Sequence, residues 1–172
     1  MAEQYPRRKR IRLPEFDYGA NYRYFVTICT QDRAKILSKI TVGEGLAPPK
    51  INLSVYGELV REELFQLQDR FSSVSIDKYV IMPNHIHIIL RLEDTGGASP
   101  SPTKESTTLY DAICAFKSLS VRRCKKMGFV GKLWQRGYHD HVIRNEEDYR
   151  SIWEYIDNNP ARWTEDEYYT ES

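Results

Sequence analysis

The run from Ser75 to Leu92 constrains the fold of this chain more than any other. Two stretches rich in β-branched and apolar residues, Ser75 to Met82 and His85 to Leu92, meet at Pro83-Asn84. Proline and asparagine favour a turn while the flanking residues favour extended backbone, so the run predicts a hairpin and therefore an antiparallel sheet. Upstream, Asn21 to Thr30 alternates Tyr22, Tyr24, Val26 and Ile28 with Arg23, Phe25, Thr27 and Cys29, a strand with one wetter face. Gly43, Gly45, Pro48 and Pro49 mark a loop, and Leu59, Leu64, Leu67 and Phe71 recur at near-helical spacing behind Ser54, a good cap for a helix ending near Arg70.

Beyond the hairpin, Asp94 to Thr107 is rich in Gly, Ser, Pro and Thr and reads as a mobile loop. Leu109, Ile113, Phe116, Leu119 and Val121 mark a second helix closed by Gly128, and Tyr138 to Ile143 reads as a fourth strand. Asn145 followed by Glu146, Glu147 and Asp148 starts a last helix, because the cap accepts from an orphan amide and the carboxylates face the positive end of the dipole. It runs to about Asn159 and stops at Pro160. The order βαββαβ plus a C-terminal helix is an α+β, ferredoxin-like (RRM-like) antiparallel sheet with one added element.

With 172 residues, 41% of them hydrophobic, the chain can bury one core. The expected organisation is a basic arm over 1–20, one domain over 21–163 and an acidic, tyrosine-rich tail over 164–172. No apolar run approaches the roughly 18 residues that span a bilayer, and no apolar stretch follows the basic N-terminus as in a signal peptide, so a cytoplasmic protein without membrane contact is expected. Cys29, Cys114 and Cys124 are odd in number without CxxC spacing, which argues for reduced thiols.

The net charge of +1 conceals an uneven distribution. Arg7, Arg8, Lys9, Arg10 and Arg12 form one basic group; Lys117, Arg122, Arg123, Lys125 and Lys126 form another that continues through Lys132 and Arg136. Such clusters suit the phosphate backbone of a nucleic acid.

Two features suggest chemistry. His85 and His87 lie two apart on a predicted strand, so both rings leave one face while Ile86 and Ile88 point to the other, and this spacing can chelate one divalent ion. On the last helix, Tyr149, Ile152, Trp153 and Ile156 form an apolar stripe, and at 100° per residue Tyr155 falls roughly 120° from its centre. Asn159, four residues on, shares that side of the helix, so a phenol and an amide oxygen can face one site.

The chain here resembles the single-tyrosine HUH transposases (IS200-like), particularly the REP-associated tyrosine transposases. The matching blocks are Met82-Pro83-Asn84-His85-Ile86-His87, Leu133-Trp134-Gln135-Arg136-Gly137-Tyr138 through His141-Val142-Ile143-Arg144-Asn145-Glu146-Glu147-Asp148, and Tyr155-Ile156-Asp157-Asn158-Asn159-Pro160. The resemblance spans roughly Tyr22 to Arg162, and its three blocks occur in order. It implies a transposase that cleaves and rejoins single-stranded DNA through a 5′-phosphotyrosine, with His85 and His87 holding Mg²⁺ or Mn²⁺ and Tyr155 as nucleophile. Better-known members place a Gln four residues after the tyrosine as another ligand; this chain has Asn159, one methylene shorter, as the implied third metal ligand.

Single-stranded or hairpin DNA is the implied partner, with Arg7, Arg8, Lys9, Arg10, Arg12, Lys117, Arg122, Arg123 and Arg136 as candidate contacts and Tyr22-Arg23-Tyr24-Phe25 as a candidate stacking platform. Both monomers and homodimers, with the tyrosine helix serving either chain, fit the family. His139 and His141 form a second His-x-His, but Asp140 stands where the motif wants a hydrophobe, which favours a supporting role. Tyr138, Tyr149, Tyr168 and Tyr169 are rival nucleophiles by residue type alone. A non-catalytic nucleic-acid-binding protein is the competing reading, since the RRM plan shares this sheet; a hydrolase of small phosphates is a third.

Overall fold

A computed structural model describes residues 22–41, 48–93 and 107–171. The basic arm with Arg7, Arg8, Lys9, Arg10 and Arg12, and residues 94–106 of the expected mobile loop, lie outside the described residues. Strands β1 (Tyr22–Cys29), β4 (Val74–Ile81), β5 (His85–Leu92) and β6 (His139–Ile143) form one sheet in the order β4-β5-β1-β6. Every neighbouring pair is antiparallel. With helices α1 (Val55–Arg70) and α2 (Leu109–Lys126) intervening, this is the ferredoxin-like arrangement.

Strand alternation splits the sheet into two chemically different faces. Tyr24, Val26, Ile28, Ile86, Ile88 and Leu90 point to the side where α1 and α2 pack and are fully buried there with Val60, Leu64, Leu67, Ile113 and Phe116. Tyr24 is therefore core, and the stacking platform expected over Tyr22-Arg23-Tyr24-Phe25 loses it. On the opposite face, α3 (Glu146–Asn158) sets Ile156 against Val80, Met82, Ile89 and Ile143, with Tyr149, Ile152 and Trp153 beside them. Polar contacts fix its angle: Lys78 pairs with Asp157 and lies 4.4 Å from the Trp153 ring centroid, and Arg23 is 3.0 Å from Asp77 and stacks on Tyr149.

The helix starts form as their sequences dictate. Ser54 accepts from Gly57 N, Thr108 and Asp111 make a reciprocal capping box, and Asn145 accepts from Asp148 N. Gly128, at φ +92°, follows the end of α2 in a conformation that disfavours a side chain. Glu63, buried on α1, is gripped by Arg70 and by Arg123 of α2, which ties the two helices together.

One element departs from expectation. Flanking the expected loop, whose Gly43 and Gly45 lie outside the described residues, is a two-stranded sheet of β2 (Ser38–Thr41) and β3 (Lys50–Leu53), strands of four residues, too short for alternation to stand out against a loop composition. This sheet brings Leu37 hard against α1. A Cβ built on Gly57 would lie 2.0 Å from the Leu37 carbonyl oxygen, a backbone atom that itself accepts from Ser54 N. Gly57→Ala is therefore expected to destabilise the protein by about 3 kcal/mol, lowering the thermal midpoint by roughly 6–12 °C in a circular-dichroism melt.

Candidate active site

The alternation that buries Ile86 and Ile88 on the helical side sends His85 and His87 to the other, where α3 and the C-terminal strap cover them to 0% and 1% exposure. Their Nε2 atoms converge to 3.0 Å. What each ring does with Nδ1 decides what Nε2 offers. Asn84 donates from Nδ2 to the Tyr168 carbonyl at 2.8 Å, which turns Oδ1 toward His85 Nδ1 at 2.9 Å. Oδ1 only accepts, so His85 carries its proton on Nδ1 and its Nε2 is a free lone pair. Thr27, directly opposite His87 across β1 and β5, holds His87 Nδ1 at 2.8 Å and can accept from it in the same way.

Burial pushes His85 down to about 3, with the Arg33 charge adding to it, and holds His87 well below its ordinary value, with His85 as the next cause. Both imidazoles are neutral at pH 7 and available as ligands. The unfolded chain takes up these protons as pH falls below about 6.5 while the folded chain does not, so metal-free protein loses stability from there toward pH 3. Urea denaturation at pH 7 and pH 5 is expected to show the lower midpoint at pH 5, with a smaller pH effect in His85→Gln.

Tyr155 reaches this pair from α3. Its ring is 5.2 Å from that of His87 and stands edge-on to Phe25 at 5.9 Å; its hydroxyl is 3.3 Å from His87 Nε2 and 3.4 Å from Asp166 Oδ2. Burial and then the Asp166 and Glu167 charges push the phenol up to about 12, while the Asn159 amide acts in the opposite direction. Without a cation, the phenol stays protonated.

The residue that sequence reasoning missed is Asp166. It lies in the acidic stretch behind α3, which crosses the histidine face as a strap: Trp163–Glu165 forms a single helical turn, and the Tyr168 ring packs at 4.7 Å from His85 and 5.9 Å from His87. Arg33 donates to the Glu167 carbonyl and stacks on Tyr168. Asp166 Oδ1 accepts from Tyr168 N at 2.7 Å and Oδ2 from Asn159 Nδ2 at 2.5 Å. Ligand atoms of His85, His87 and Asp166 lie within 4.8 Å of one another, a group able to hold a metal ion. The other end of the Asn159 amide, Oδ1, is buried with no hydrogen-bond partner among the described residues. Two neutral imidazoles, a carboxylate and a bare amide oxygen are a donor set that Mg²⁺ or Mn²⁺ accepts.

The remaining candidates are placed as follows. His139 and His141 lie on β6 opposite Thr27 and Phe25 and line one wall of a cleft of ≈ 720 Å³ that reaches His87 and Tyr155. His141 Nε2 is 2.8 Å from Asp148, so its role is at least to tie β6 to the start of α3. Tyr149 lies in the α3–sheet interface, and Tyr168 is buried against the histidines. Lys117 donates from Nζ to the Gln135 and Gly137 carbonyls, 2.7 and 2.6 Å away, and Arg123 pairs with Glu62 and Glu63, so both charges are engaged within the protein. Arg122 and Arg136 are exposed. Lys117→Ala is expected to lower stability by about 1–2 kcal/mol in chemical denaturation, because a half-buried and an exposed carbonyl lose a charged donor. Burial raises the Cys29 and Cys124 thiols, and the cysteines are free.

A strand bearing His-x-His thus faces a tyrosine-bearing helix on a ferredoxin-like sheet. An uncharacterised Haemophilus influenzae protein is 31% identical over 175 residues, 95% of this chain and 94% of the relative. The REP-associated tyrosine transposase of Escherichia coli is 24% identical over 110 residues, 64% of this chain and 58% of that protein. A solved REP-associated tyrosine transposase bound to a REP hairpin superimposes with a TM-score of 0.60 over 94% of this chain and 74% of that one, at 19% identity, and so shares the fold. No protein-family model matches the chain. The chain belongs to one family with the Haemophilus influenzae protein, and it is similar in part of its sequence and in its fold to the REP-associated tyrosine transposases. Among the described residues no helix is long and apolar enough to cross a membrane.

Proposed function

We propose that this protein cleaves and rejoins single-stranded DNA at a hairpin, with Tyr155 as nucleophile and His85, His87 and Asp166 holding Mg²⁺ or Mn²⁺. The observation that carries this reading is the placement of the Tyr155 hydroxyl 3.3 Å from the Nε2 of His87, a neutral, buried histidine whose Nε2 converges to 3.0 Å on that of His85. Asn159 keeps a place in it through the bare Oδ1, as a further oxygen donor beside the Asp166 carboxylate.

His85, His87 and Asp166 would hold the divalent ion, which would supply positive charge to stabilise the phosphate and the developing phenolate. The protein does the rest. Phe25 and His87 fix the Tyr155 ring, which lines the ≈ 720 Å³ cleft where a strand can lie. Attack forms the tyrosyl O–P bond as the P–O3′ bond breaks, and the proton lost by the phenol is matched by the one the released 3′-oxygen takes up. No bond energy is lost to water, so a 3′-hydroxyl can reverse the step and join strands without ATP. The histidines, Tyr155 and Asp166 come from one chain, which supports a site closed in cis. For backbone contacts, the reading gives the second basic group to Arg122 and Arg136, together with the N-terminal Arg7, Arg8, Lys9, Arg10 and Arg12.

The test is a covalent-adduct assay. Full-length protein is incubated with an end-labelled single-stranded hairpin library and Mn²⁺, then resolved on a denaturing gel. A metal-dependent shifted band is expected. Tight DNA binding with no adduct under any divalent ion would replace this reading with that of a non-catalytic hairpin-binding protein.

A further inference from the structure

We propose that Asn84 is a positioning residue that couples the C-terminal strap to the metal-holding face, one amide both setting the His85 tautomer and gripping the strap at the Tyr168 carbonyl. This rests on the reading of His85, His87 and Asp166 as metal-holding residues.

Asn84 is fully buried, and each polar atom of its side chain has a single, directional task. Nδ2 donates to the Tyr168 carbonyl at 2.8 Å, and Oδ1 takes the His85 Nδ1 proton at 2.9 Å. Its own carbonyl accepts from Thr30 N and Oγ1, both at 2.9 Å, so the residue cannot rotate without breaking contacts in three segments. The amide has only one productive orientation, because a carbonyl cannot donate. With the strap docked, Oδ1 necessarily faces His85, and Nε2 of that ring is necessarily free. Tyr168 in turn donates its N–H to Asp166 Oδ1 at 2.7 Å, so the grip on Tyr168 also places the carboxylate. Strap docking, the ligand tautomer of His85 and delivery of Asp166 are thus one event, and metal binding and strap docking favour each other reciprocally.

Asn84→Asp separates the two tasks, since a carboxylate still accepts from His85 but cannot donate to Tyr168. In metal-free wild type, long-range ¹H–¹⁵N spectra are expected to show His85 protonated at Nδ1. Asn84→Asp should keep that tautomer, raise hydrogen exchange of the strap peptide by about 10-fold and weaken Mn²⁺ binding by about 10-fold. Asp166→Asn should weaken Mn²⁺ comparably, and the double variant should lose no more than about twofold beyond either.

The proposal is overturned if wild-type His85 is protonated at Nε2, if Asn84→Asp leaves strap exchange unchanged, or if the two losses multiply. Should Asn84→Asp fail to fold, the wild-type tautomer and the slowing of strap exchange by Mn²⁺ decide it. Should wild type bind no Mn²⁺, the metal reading fails, while the tautomer and strap-exchange measurements still judge Asn84.

Discussion

Tyr155→Phe is expected to abolish the covalent protein–DNA adduct, a loss of at least about 10³-fold, while leaving the fold and DNA affinity nearly unchanged. The reaction requires the phenol oxygen itself, and no neighbouring group offers a substitute. Tyr149 is held in the α3–sheet interface and Tyr168 is buried against the histidines with its main chain tied to Asn84 and Asp166. Phenylalanine keeps the edge-on packing against Phe25 and His87. The hydroxyl's contacts, at 3.3 and 3.4 Å, are long and contribute less than about 1 kcal/mol. An adduct band that persists in Tyr155→Phe at wild-type intensity would move the nucleophile elsewhere; unaltered far-ultraviolet circular dichroism is the control for folding.

His87→Ala is expected to weaken Mn²⁺ binding by more than about 100-fold, read by calorimetric titration, and to remove the adduct with it. The ring is the centre of the site: it faces His85 Nε2, the Tyr155 hydroxyl and Thr27 at once. Its removal also leaves the Thr27 hydroxyl without its buried partner and opens space beneath Tyr155, so some stability is lost for reasons unrelated to metal. His87→Gln fills most of that space and can still bond Thr27. Mn²⁺ binding lost in both variants, with the glutamine variant folded, assigns the effect to the imidazole. Wild-type affinity in His87→Gln would remove His87 from the ligand set.

The parts of the site that were legible in the sequence are those that local periodicity governs. A two-residue repeat places His85 and His87 on one face and Ile86 and Ile88 on the other, and both are where alternation puts them. A 3.6-residue repeat puts Tyr155 off the apolar stripe of α3, and Asn159 one turn on is beside it. The caps Ser54 and Asn145 needed only their own side chains and the amides three residues away.

What escaped are contacts between segments with no local signature. Asp166 belongs to a run of acidic and aromatic residues whose composition matches that of a solvated tail, yet it lies against histidines about eighty positions earlier in the chain. Lys117 and Arg123 look like any exposed cations on a helix until the Gln135 and Gly137 carbonyls and Glu63 are seen to hold them. The β2–β3 strands, at four residues each, are too short to announce themselves, and the clash that forbids a side chain at Gly57 exists only because they press Leu37 against α1. The sequence by itself determined the sheet, its two faces, the His-x-His pair and the tyrosine opposite, because backbone periodicity assigns side chains to faces wherever they end up. Only the tertiary structure decided which atoms complete the site and in which protonation state, because Asn84, Asp166 and Tyr168 meet through burial and directional hydrogen bonds that arise once distant segments close over one another.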